Sequence, residues 1–211
     1  MKDIVIIGAG GFAREVVWLI EENNKRNPEW NILGFISESK DSSLLTYPIL
    51  GNDEWLLNCN REINAVCCVG NADLREKIIS KYKDSKINFP TIISNNAIVS
   101  SQTKIGNGVI ICAGTIITVN VEIDDFCIIN LDCTIGHEAK LGSFVTMYPS
   151  VNVSGNVNVG RNTELGTGSS VIHGMNIGEH VILGASAAVV RDIPSWTTAV
   201  GVPAKVIKNR K

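Results

Sequence analysis

The chain has 211 residues, of which 45% are hydrophobic, and its formal net charge is −2. A chain of this length and apolar content can bury a sizeable core and has room for one large or two small domains. Acidic and basic residues are interspersed, so no basic stripe favours nucleic acid, and neither a signal peptide nor a membrane-spanning stretch is predicted. We therefore expect a cytoplasmic protein that binds neither nucleic acid nor membrane.

The first residues predict a strand, a glycine loop and a helix. Residues 4–7 form a continuous apolar run, and helical spacing follows over residues 14–23. The loop between them fits Gly-x-Gly-x-x-Ala, in which the glycines allow a tight turn and close approach of backbone to a ligand, while amides at the helix start face an anion. Taken alone, the pattern is equally compatible with a turn that binds nothing. The candidate ligand-binding residues of this loop are Gly8, Gly10, Gly11 and Phe12.

Two further predicted strands, over residues 32–36 and 65–69, also end at polar side chains. Carboxyl ends of neighbouring parallel strands share one crevice, so these ends and the glycine loop are expected to meet at one ligand. Fewer than a hundred residues precede the repeats described next, which favours a mononucleotide over NAD. The additional candidate residues are Ser37, Glu38, Asn71 and Arg75, although a solvated helix face explains the last of these somewhat better than a ligand does.

From residue 93 to residue 189, every sixth residue is aliphatic or Met, which makes 17 consecutive positions. These residue types occupy roughly one position in three of an apolar-rich chain, so chance does not explain the run. A helix repeats every 3.6 residues and a half-buried strand every two, whereas a parallel β-helix of hexapeptides repeats every six. A small or β-branched residue two places earlier marks a second inward position, and glycines that follow many inward residues mark corners.

This repeat resembles that of the hexapeptide-repeat acyltransferases, whose left-handed β-helix has three hexapeptides per coil. With its α/β start, the whole chain is similar to the sugar acetyltransferases of the sialic-acid O-acetyltransferase and bacillosamine N-acetyltransferase type (NeuD/PglD-like). The resemblance implies a Rossmann-like α/β domain over residues 1–90, a left-handed parallel β-helix over residues 91–192 and a capping segment over residues 193–211. In this family, the small domain holds the nucleotide of a nucleotide-linked amino sugar.

The segment from Asn130 to Glu138 resembles the catalytic stretch of that family. Imidazole has a reference pKa of about 6.5, so His137 is expected to be the base that takes a proton from the attacking amine or hydroxyl. The resemblance implies that Glu138 orients this imidazole and that Asn130 lies near the acceptor. One coil above His137, Gly155 offers a backbone amide to the thioester oxyanion. Which subunit supplies that amide stays open, and Thr146 stands where some relatives have a second histidine.

By the same resemblance, acetyl-CoA lies in a groove between two neighbouring β-helices. Two candidate residues are one coil apart, and others belong to an ending that resembles the Gly-x-Pro-Ala-Lys/Arg pattern of the family. The candidate cofactor-binding residues are Gly155, Thr167, Ala185, Pro203 and Lys205. His173 and His180 are expected to be satisfied or solvated histidines without a role. The six cysteines lack metal-ligand spacing, so we expect reduced thiols and no metal.

A homotrimer, the usual state in this family, is expected because exposed residues such as Ile110, Ile116, Ile128 and Val119 need partners. The leading hypothesis is an acetyl-CoA-dependent N-acetyltransferase for a nucleotide-linked 4-amino-4,6-dideoxy sugar in surface-glycan biosynthesis, with direct transfer. The alternatives are an O-acetyltransferase of sialic acid or a related sugar, and a non-catalytic β-helix that senses a nucleotide. The acceptor, the attacked position and the base (UDP, dTDP or GDP) stay open.

Overall fold

The computed structural model describes residues 1–39, 42–59 and 61–210. Its first part is a small α/β unit. The strands are β1 (Lys2–Ile7), β2 (Trp30–Ile36), β3 (Ile49–Gly51), β4 (Ile63–Cys67) and β5 (Ile87–Asn88), and the helices are α1 (Gly11–Arg26), α2 (Asp53–Leu57) and α3 (Ala72–Ser80). All five strands are parallel, in the order β3-β2-β1-β4-β5.

The apolar runs of β1, β2 and β4 are buried between helices, which is why they read as continuous hydrophobic segments in the sequence. The predicted strand, loop and helix are confirmed, with α1 beginning at Gly11 instead of Arg14. The strand order reverses direction at β1, so the crevice of this sheet lies outside the carboxyl ends of β1 and β4.

The rest of the chain winds into a solenoid with three flat faces, each a ladder of short strands. Face 1 contains β6 (Ile92–Ile93), β9 (Ile110–Ile111), β12 (Ile128–Ile129), β15 (Thr146–Met147), β18 (Glu164–Leu165), β21 (Ile182–Leu183), β23 (Thr197–Val200) and β24 (Lys205–Asn209). Face 2 contains β7 (Ile98–Val99), β10 (Ile116–Ile117), β13 (Thr134–Ile135), β16 (Asn152–Val153), β19 (Ser170–Val171) and β22 (Ala188–Val189). Face 3 contains β8 (Lys104–Ile105), β11 (Glu122–Ile123), β14 (Lys140–Leu141), β17 (Asn158–Val159) and β20 (Asn176–Ile177).

Equivalent residues of successive coils are 18 apart, as in the parallel pairing of Ile117 with Ile135 and of Ile135 with Val153. The residues at the predicted period of six line the interior, and the small residues Cys127 and Cys133 occupy the second inward position. The predicted solenoid is confirmed, and its three-faced, 18-residue coils are those of a left-handed β-helix.

Two kinds of residue shape the corners: residues with a left-handed backbone, and glycines that allow close contact between coils. The sequence pattern alone did not distinguish them. A left-handed residue recurs every six positions, for example Asp132 with φ 55° and Glu138 with φ 62°. The glycine that stands two places before some of these residues, such as Gly136 before Glu138, has another purpose: a methyl group on Gly136 would lie 2.5 Å from the amide nitrogen of Gly155 in the next coil. Glycine there lets successive coils approach, and it is not the residue that turns the chain.

Face 1 is covered by the α/β unit. Ile110 and Ile128 are fully buried in a hydrophobic cluster that includes α1 residues such as Val16 and Ile20. The expectation that these two isoleucines face a partner subunit is therefore wrong, because the protein's own first helix covers them.

Faces 2 and 3 differ in chemistry. Face 3 presents charged side chains, among which Glu122 pairs with Lys104 at 3.3 Å and with Lys140 at 3.6 Å. On face 2, Ile98 is 66% exposed and Ile116 is 41% exposed. Face 2 is thus uncovered, and it is apolar in its first coils and polar further along, at Thr134, Asn152 and Ser170.

The last two strands extend face 1 at the C-terminal end of the solenoid. Strand β23 continues the parallel ladder from β21, and β24 returns antiparallel to β23. Across the described ranges, none of the helices has the length and apolar character needed to cross a bilayer.

Candidate active site

His137 lies at the corner between faces 2 and 3, which we call edge 2/3. Its imidazole lies against Gly155 of the next coil and fills the place of the missing side chain, where an added methyl group would be 2.5 Å from Nε2 of the ring. The side chain is about half exposed, and its Nδ1 is 3.5 Å from Oε2 of Glu138. A small rotation of either side chain would bring Nδ1 and the carboxylate into hydrogen-bond range.

The backbone N–H of Gly155 is unpaired, although the residue itself is buried. In the part of the chain that the structure describes, no acceptor takes this N–H, although the Gly155 carbonyl accepts from Gly174 at 3.1 Å. Gly136 leaves room for this amide, because any side chain at that position would collide with the Gly155 nitrogen. Sequence analysis had treated Gly136 only as a corner, and the missing signal was this contact between coils.

Asn130 lies at the preceding corner, between faces 1 and 2, which we call edge 1/2. The structure does not bring it to His137 of the same chain, because the whole width of face 2 separates the two corners. Asn130 is buried, and its Oδ1 accepts from the N–H of Leu131 at 2.7 Å. One coil above it stands Tyr148, a residue that sequence analysis missed.

The candidate cofactor residues Thr167 and Ala185 also lie on edge 1/2, exposed and stacked one coil apart. The N–H of Ser186 donates to the carbonyl of Thr167 at 2.8 Å, which ties these two levels together. The tail carrying Pro203 and Lys205 returns to the same end of the solenoid, where Ala204 donates to the carbonyl of Ala188 at 2.7 Å. Gly155 is the one cofactor candidate on edge 2/3.

The glycine loop forms the expected turn at the carboxyl end of β1. Gly8 has φ 100° and donates to the carbonyl of Ile36 at 2.9 Å. Helix α1 follows with Gly10 as its N-cap, without a side-chain cap, and the space above Gly10 and Gly11 is open. The uncapped amides of the first turn are therefore accessible to an anion.

The residues after β2 adjoin this loop, and Phe12 closes its inner side. Ser37 donates through its backbone to the carbonyl of Gly51 at 2.8 Å, and together with the exposed Glu38 it lines a cleft of about 560 Å³. Phe12 is half-buried against the core shared by α1 and face 1.

Arg75 does not belong to the ligand crevice, and neither prediction for it was correct. The side chain is 1% exposed, so it does not lie on a solvated helix face. All of its N–H groups are used within the protein, which leaves none for a ligand. The acceptors are the carbonyls of Val69, Gly70, Phe126, Phe144 and Val145 and the hydroxyl of Thr146, at 2.6 to 3.4 Å.

Asn71 likewise faces the solenoid. Its Oδ1 caps α3 by accepting from Leu74 at 2.9 Å, and its Nδ2 donates to Oε1 of Glu164 at 2.8 Å. The same carboxylate accepts from the N–H of Ala72 at 3.0 Å and from the hydroxyl of Tyr148 at 3.0 Å. Burial, followed by the charge of Glu164, raises the pKa of Tyr148 to about 12, so the phenol stays protonated and donates. The side chain of Asn71 is thus held by α3 and Glu164, and its place in the ligand site stays a prediction.

Thr146, at the position of the second histidine of some relatives, is buried on face 1. Its hydroxyl donates to the carbonyl of Gly70 at 2.7 Å and accepts from Arg75. The position therefore adjoins the loop after β4 and does not adjoin His137 of the same chain.

The two remaining histidines have different surroundings. His180 is satisfied, as expected: its Nδ1 lies 2.8 Å from Oδ1 of Asp73, and its ring stacks on Trp196 at 3.8 Å. His173 instead stands on edge 2/3, with its ring centroid 5.9 Å from that of His137.

The cysteines of the solenoid are free and buried. Burial raises the pKa of Cys112 and Cys127 to about 12 and that of Cys133 to about 11. Over the described ranges, no three His, Cys, Asp or Glu side chains are grouped so that they could hold a metal ion. A groove of about 690 Å³ runs along face 3, but it is lined by residues such as Lys140, Asn158 and Asp192 and lies away from both edges of face 2 that carry the candidate residues.

Comparisons of the chain with a family model and with solved structures agree with each other. The family model described as the PglD N-terminal domain matches residues 3–82. The structure of PerB from Caulobacter crescentus, in complex with CoA and GDP-perosamine, is 32% identical with a TM-score of 0.87, covering 99% of this chain and 98% of that one. The acetyltransferase domain of PglB from Neisseria gonorrhoeae, in complex with acetyl coenzyme A, is 28% identical with a TM-score of 0.89, covering 98% of this chain and 99% of that one.

Among curated proteins, the GDP-perosamine N-acetyltransferase of Escherichia coli O157:H7 is 26% identical, and the match covers 96% of this chain and 95% of that protein. The chain also matches two serine acetyltransferases, from Synechococcus elongatus and Buchnera aphidicola, but it spans only 39% and 47% of their lengths. Its likeness to PerB and PglB extends over both the α/β unit and the solenoid. The chain therefore belongs to the hexapeptide-repeat sugar acetyltransferases of the PglD type.

Proposed function

We propose that the protein transfers an acetyl group from acetyl-CoA to the amine of a nucleotide-linked amino sugar, of the 4-amino-4,6-dideoxy type, for surface-glycan biosynthesis. The main observation behind this proposal is that the imidazole of His137 lies next to the unpaired amide of Gly155, in a chain of this family. Relatives that match its full length were solved with CoA and GDP-perosamine or with acetyl-CoA.

His137 acts as the general base. The amine nitrogen attacks the thioester carbonyl carbon while Nε2 of His137 takes the amine proton. Glu138, near Nδ1, selects the tautomer with its proton on Nδ1 and stabilises the imidazolium that forms. A base of this kind contributes about 10²- to 10⁴-fold to the rate.

The Gly155 amide acts at the oxyanion. Charge develops on the carbonyl oxygen as the tetrahedral centre forms, and a fixed N–H pointing at that oxygen stabilises it. The carbonyl then re-forms, and the carbon–sulfur bond breaks with its electron pair on sulfur. We propose direct transfer, because the solenoid cysteines are buried and their raised pKa values keep them as unreactive thiols.

The nucleotide of the acceptor binds at the glycine loop. The uncapped start of α1 faces open space above Gly10 and Gly11, which suits phosphate oxygens, and Ser37 and Glu38 flank the same strand ends. Tyr148 and Asn130 lie on edge 1/2. The sugar of the acceptor therefore extends from the glycine loop toward that edge.

The complete site forms between chains of a homotrimer. Edge 2/3 carries His137 and Gly155, and edge 1/2 carries Asn130, Thr167 and Ala185, on opposite sides of the uncovered face 2. When face 2 packs around a threefold axis, edge 2/3 of one chain meets edge 1/2 of its neighbour. Acetyl-CoA lies in this groove, with Pro203 and Lys205 at its far end.

Residues 1–90, 91–192 and 193–211 then serve as the acceptor-binding domain, the acyltransferase solenoid and its cap. The test is acetyl-CoA turnover with UDP-, dTDP- and GDP-linked 4-amino sugars and with free sialic acid, with the product mass recorded. An acetylated nucleotide sugar is the expected product. Acetylation of free sialic acid alone would reject the proposal in favour of O-acetyl transfer, and no transfer to any acceptor would reject catalysis.

A further inference from the structure

Two histidines face each other across Gly155. His137 and His173 are two coils apart, and since coils are separated by about 4.8 Å, their backbones are roughly 9.6 Å apart. Their ring centroids are nevertheless only 5.9 Å apart, with an angle of 42° between the ring planes. Both rings therefore lean into the space that the missing side chain of Gly155 leaves free.

The gap between the two rings is open to a ligand. The His173 ring is exposed, and no hydrogen bond to its nitrogens occurs within residues 1–39, 42–59 and 61–210. Next to it, Gly174 has no atom within 4 Å of the place where a side chain would begin. Nothing in the described chain therefore competes with a ligand for this imidazole.

The order of groups along edge 2/3 matches the order of atoms in the proposed reaction. The proposed cofactor residues Thr167, Ala185 and Lys205 all belong to coils beyond Gly155, so acetyl-CoA reaches the amide from the C-terminal end. The attacking amine then lies at the level of His137 and the thioester carbonyl at Gly155. The sulfur lies one coil further, at the level of His173.

We propose that His173 is a second catalytic residue, which donates a proton to the departing sulfur of acetyl-CoA. This inference rests on the proposed function. The amine nitrogen bonds to the carbonyl carbon and gives its proton to His137; the carbon–sulfur bond breaks, and the imidazolium of His173 gives its proton to the thiolate. A proton then passes from His137 to His173 across the gap, which returns His137 to the imidazole and His173 to the imidazolium and balances the reaction as amine plus thioester to amide plus thiol.

The experiment compares two acetyl donors in the full-length protein. One is acetyl-CoA, whose alkyl thiolate is a poor leaving group without a proton. The other is an acetylated CoA analogue with an aromatic thiol at the end of the same arm, which leaves readily unprotonated. The variants are His173→Ala and His173→Gln, and Asn158→Ala is the control for an exposed change on the neighbouring face 3. The affinity for CoA and the sedimentation of each variant are measured beside kcat and KM.

With acetyl-CoA, we expect His173→Ala to lower kcat by about 10²-fold, because general acid catalysis is lost. With the aromatic analogue, the same variant should keep most of its kcat, and CoA affinity should not change. Glutamine, which donates a hydrogen bond but no proton, should recover only part of the loss. A role in folding or packing would lower the rate with both donors alike.

Three results would overturn the assignment of His173: wild-type kcat with acetyl-CoA in His173→Ala, equal losses with both donors, or a loss confined to KM. Absence of acetyl transfer by the wild-type chain is a different result. It would reject the proposed function and the role of His173 with it.

Discussion

At the scale of single residues, the candidate site depends on the absence of a side chain at Gly155. Gly155 leaves room for the imidazole of His137 and has an unpaired N–H, while the missing side chain of Gly136 leaves room for the Gly155 nitrogen. The proposed base and the proposed oxyanion donor are therefore held next to each other by ladder geometry, without a mobile loop.

Replacement of His137 by Ala should lower kcat about 10²- to 10⁴-fold, because the general base is lost. Affinity for the nucleotide sugar should not change, since the glycine loop lies in the α/β unit. Steady-state kinetics and calorimetry on His137→Ala test this, with Asn158→Ala as the control. A His137→Ala variant that turns over like the wild type contradicts the assignment of the base.

Replacement of Gly155 by Ala should lower kcat by at least about 10²-fold, the usual cost when an oxyanion contact is disturbed. The reason is steric: the new methyl group would lie 2.5 Å from Nε2 of His137 and force the ring out of its place. Turnover and CoA affinity are compared with those of Ser154→Ala, the preceding exposed position. Unimpaired turnover in Gly155→Ala would mean that the ring is free to sit elsewhere in the active enzyme.

At the scale of elements, α3 joins the α/β unit to the solenoid. Its first turn places Asn71 and Ala72 on Glu164, and one turn later Arg75 reaches the carbonyls of the loop after β4 and of two solenoid coils. Burial lowers the pKa of the Arg75 guanidinium, yet the group remains paired with oxygen acceptors throughout. The loop after β4 is thereby fixed to face 1.

Replacement of Arg75 by Met should lower the free energy of unfolding by about 3 kcal/mol or more, because several buried carbonyls lose their hydrogen-bond donor at once. Urea denaturation measures the loss. Lys77→Met, an exposed change on the same helix, should cost no more than about 0.5 kcal/mol. In conditions where Arg75→Met is folded, nucleotide-sugar affinity should match the wild type, and a selective loss of affinity would return Arg75 to the ligand site.

These elements show which parts of the structure the sequence predicts. The period of six gives the solenoid and its inward residues, because each coil repeats the same local environment. The role of Arg75 could not be predicted, since its acceptors on Phe126 and Phe144 are 51 and 69 residues away and are backbone atoms, which carry no signature in the sequence. The burial of Ile128 could not be predicted either, because the repeat does not reveal which face the α/β unit covers.

At the scale of the whole molecule, the three faces have three different environments. Face 1 is covered by the α/β unit, face 3 carries charged ladders, and face 2 exposes Ile98 and Ile116. In the proposed homotrimer, face 2 is the surface that packs at the threefold axis. The expectation that Ile116 and Val119 need a partner stays a prediction.

Replacement of Ile116 by Glu should dissociate the trimer into folded monomers and lower kcat at least about 10-fold, because a buried carboxylate is costly and each groove needs two chains. Analytical ultracentrifugation and circular dichroism separate dissociation from unfolding. Asn158→Glu on face 3 should remain trimeric and active. Fully active monomers of Ile116→Glu would show that one chain holds a complete site.

The separation of Asn130 and His137 on opposite edges of one face has a consequence for mixed populations of chains. In the proposed trimer, each groove draws one edge from each of two neighbours, so a chain damaged at both edges silences two grooves, although it is only one subunit. In a cell that makes intact and doubly damaged chains together, the fraction of working grooves then falls with the square of the intact fraction. A chain damaged at one edge alone causes only a linear loss. Partial inhibition by a co-expressed defective copy would thus reveal the architecture of the site without a structure of the assembly.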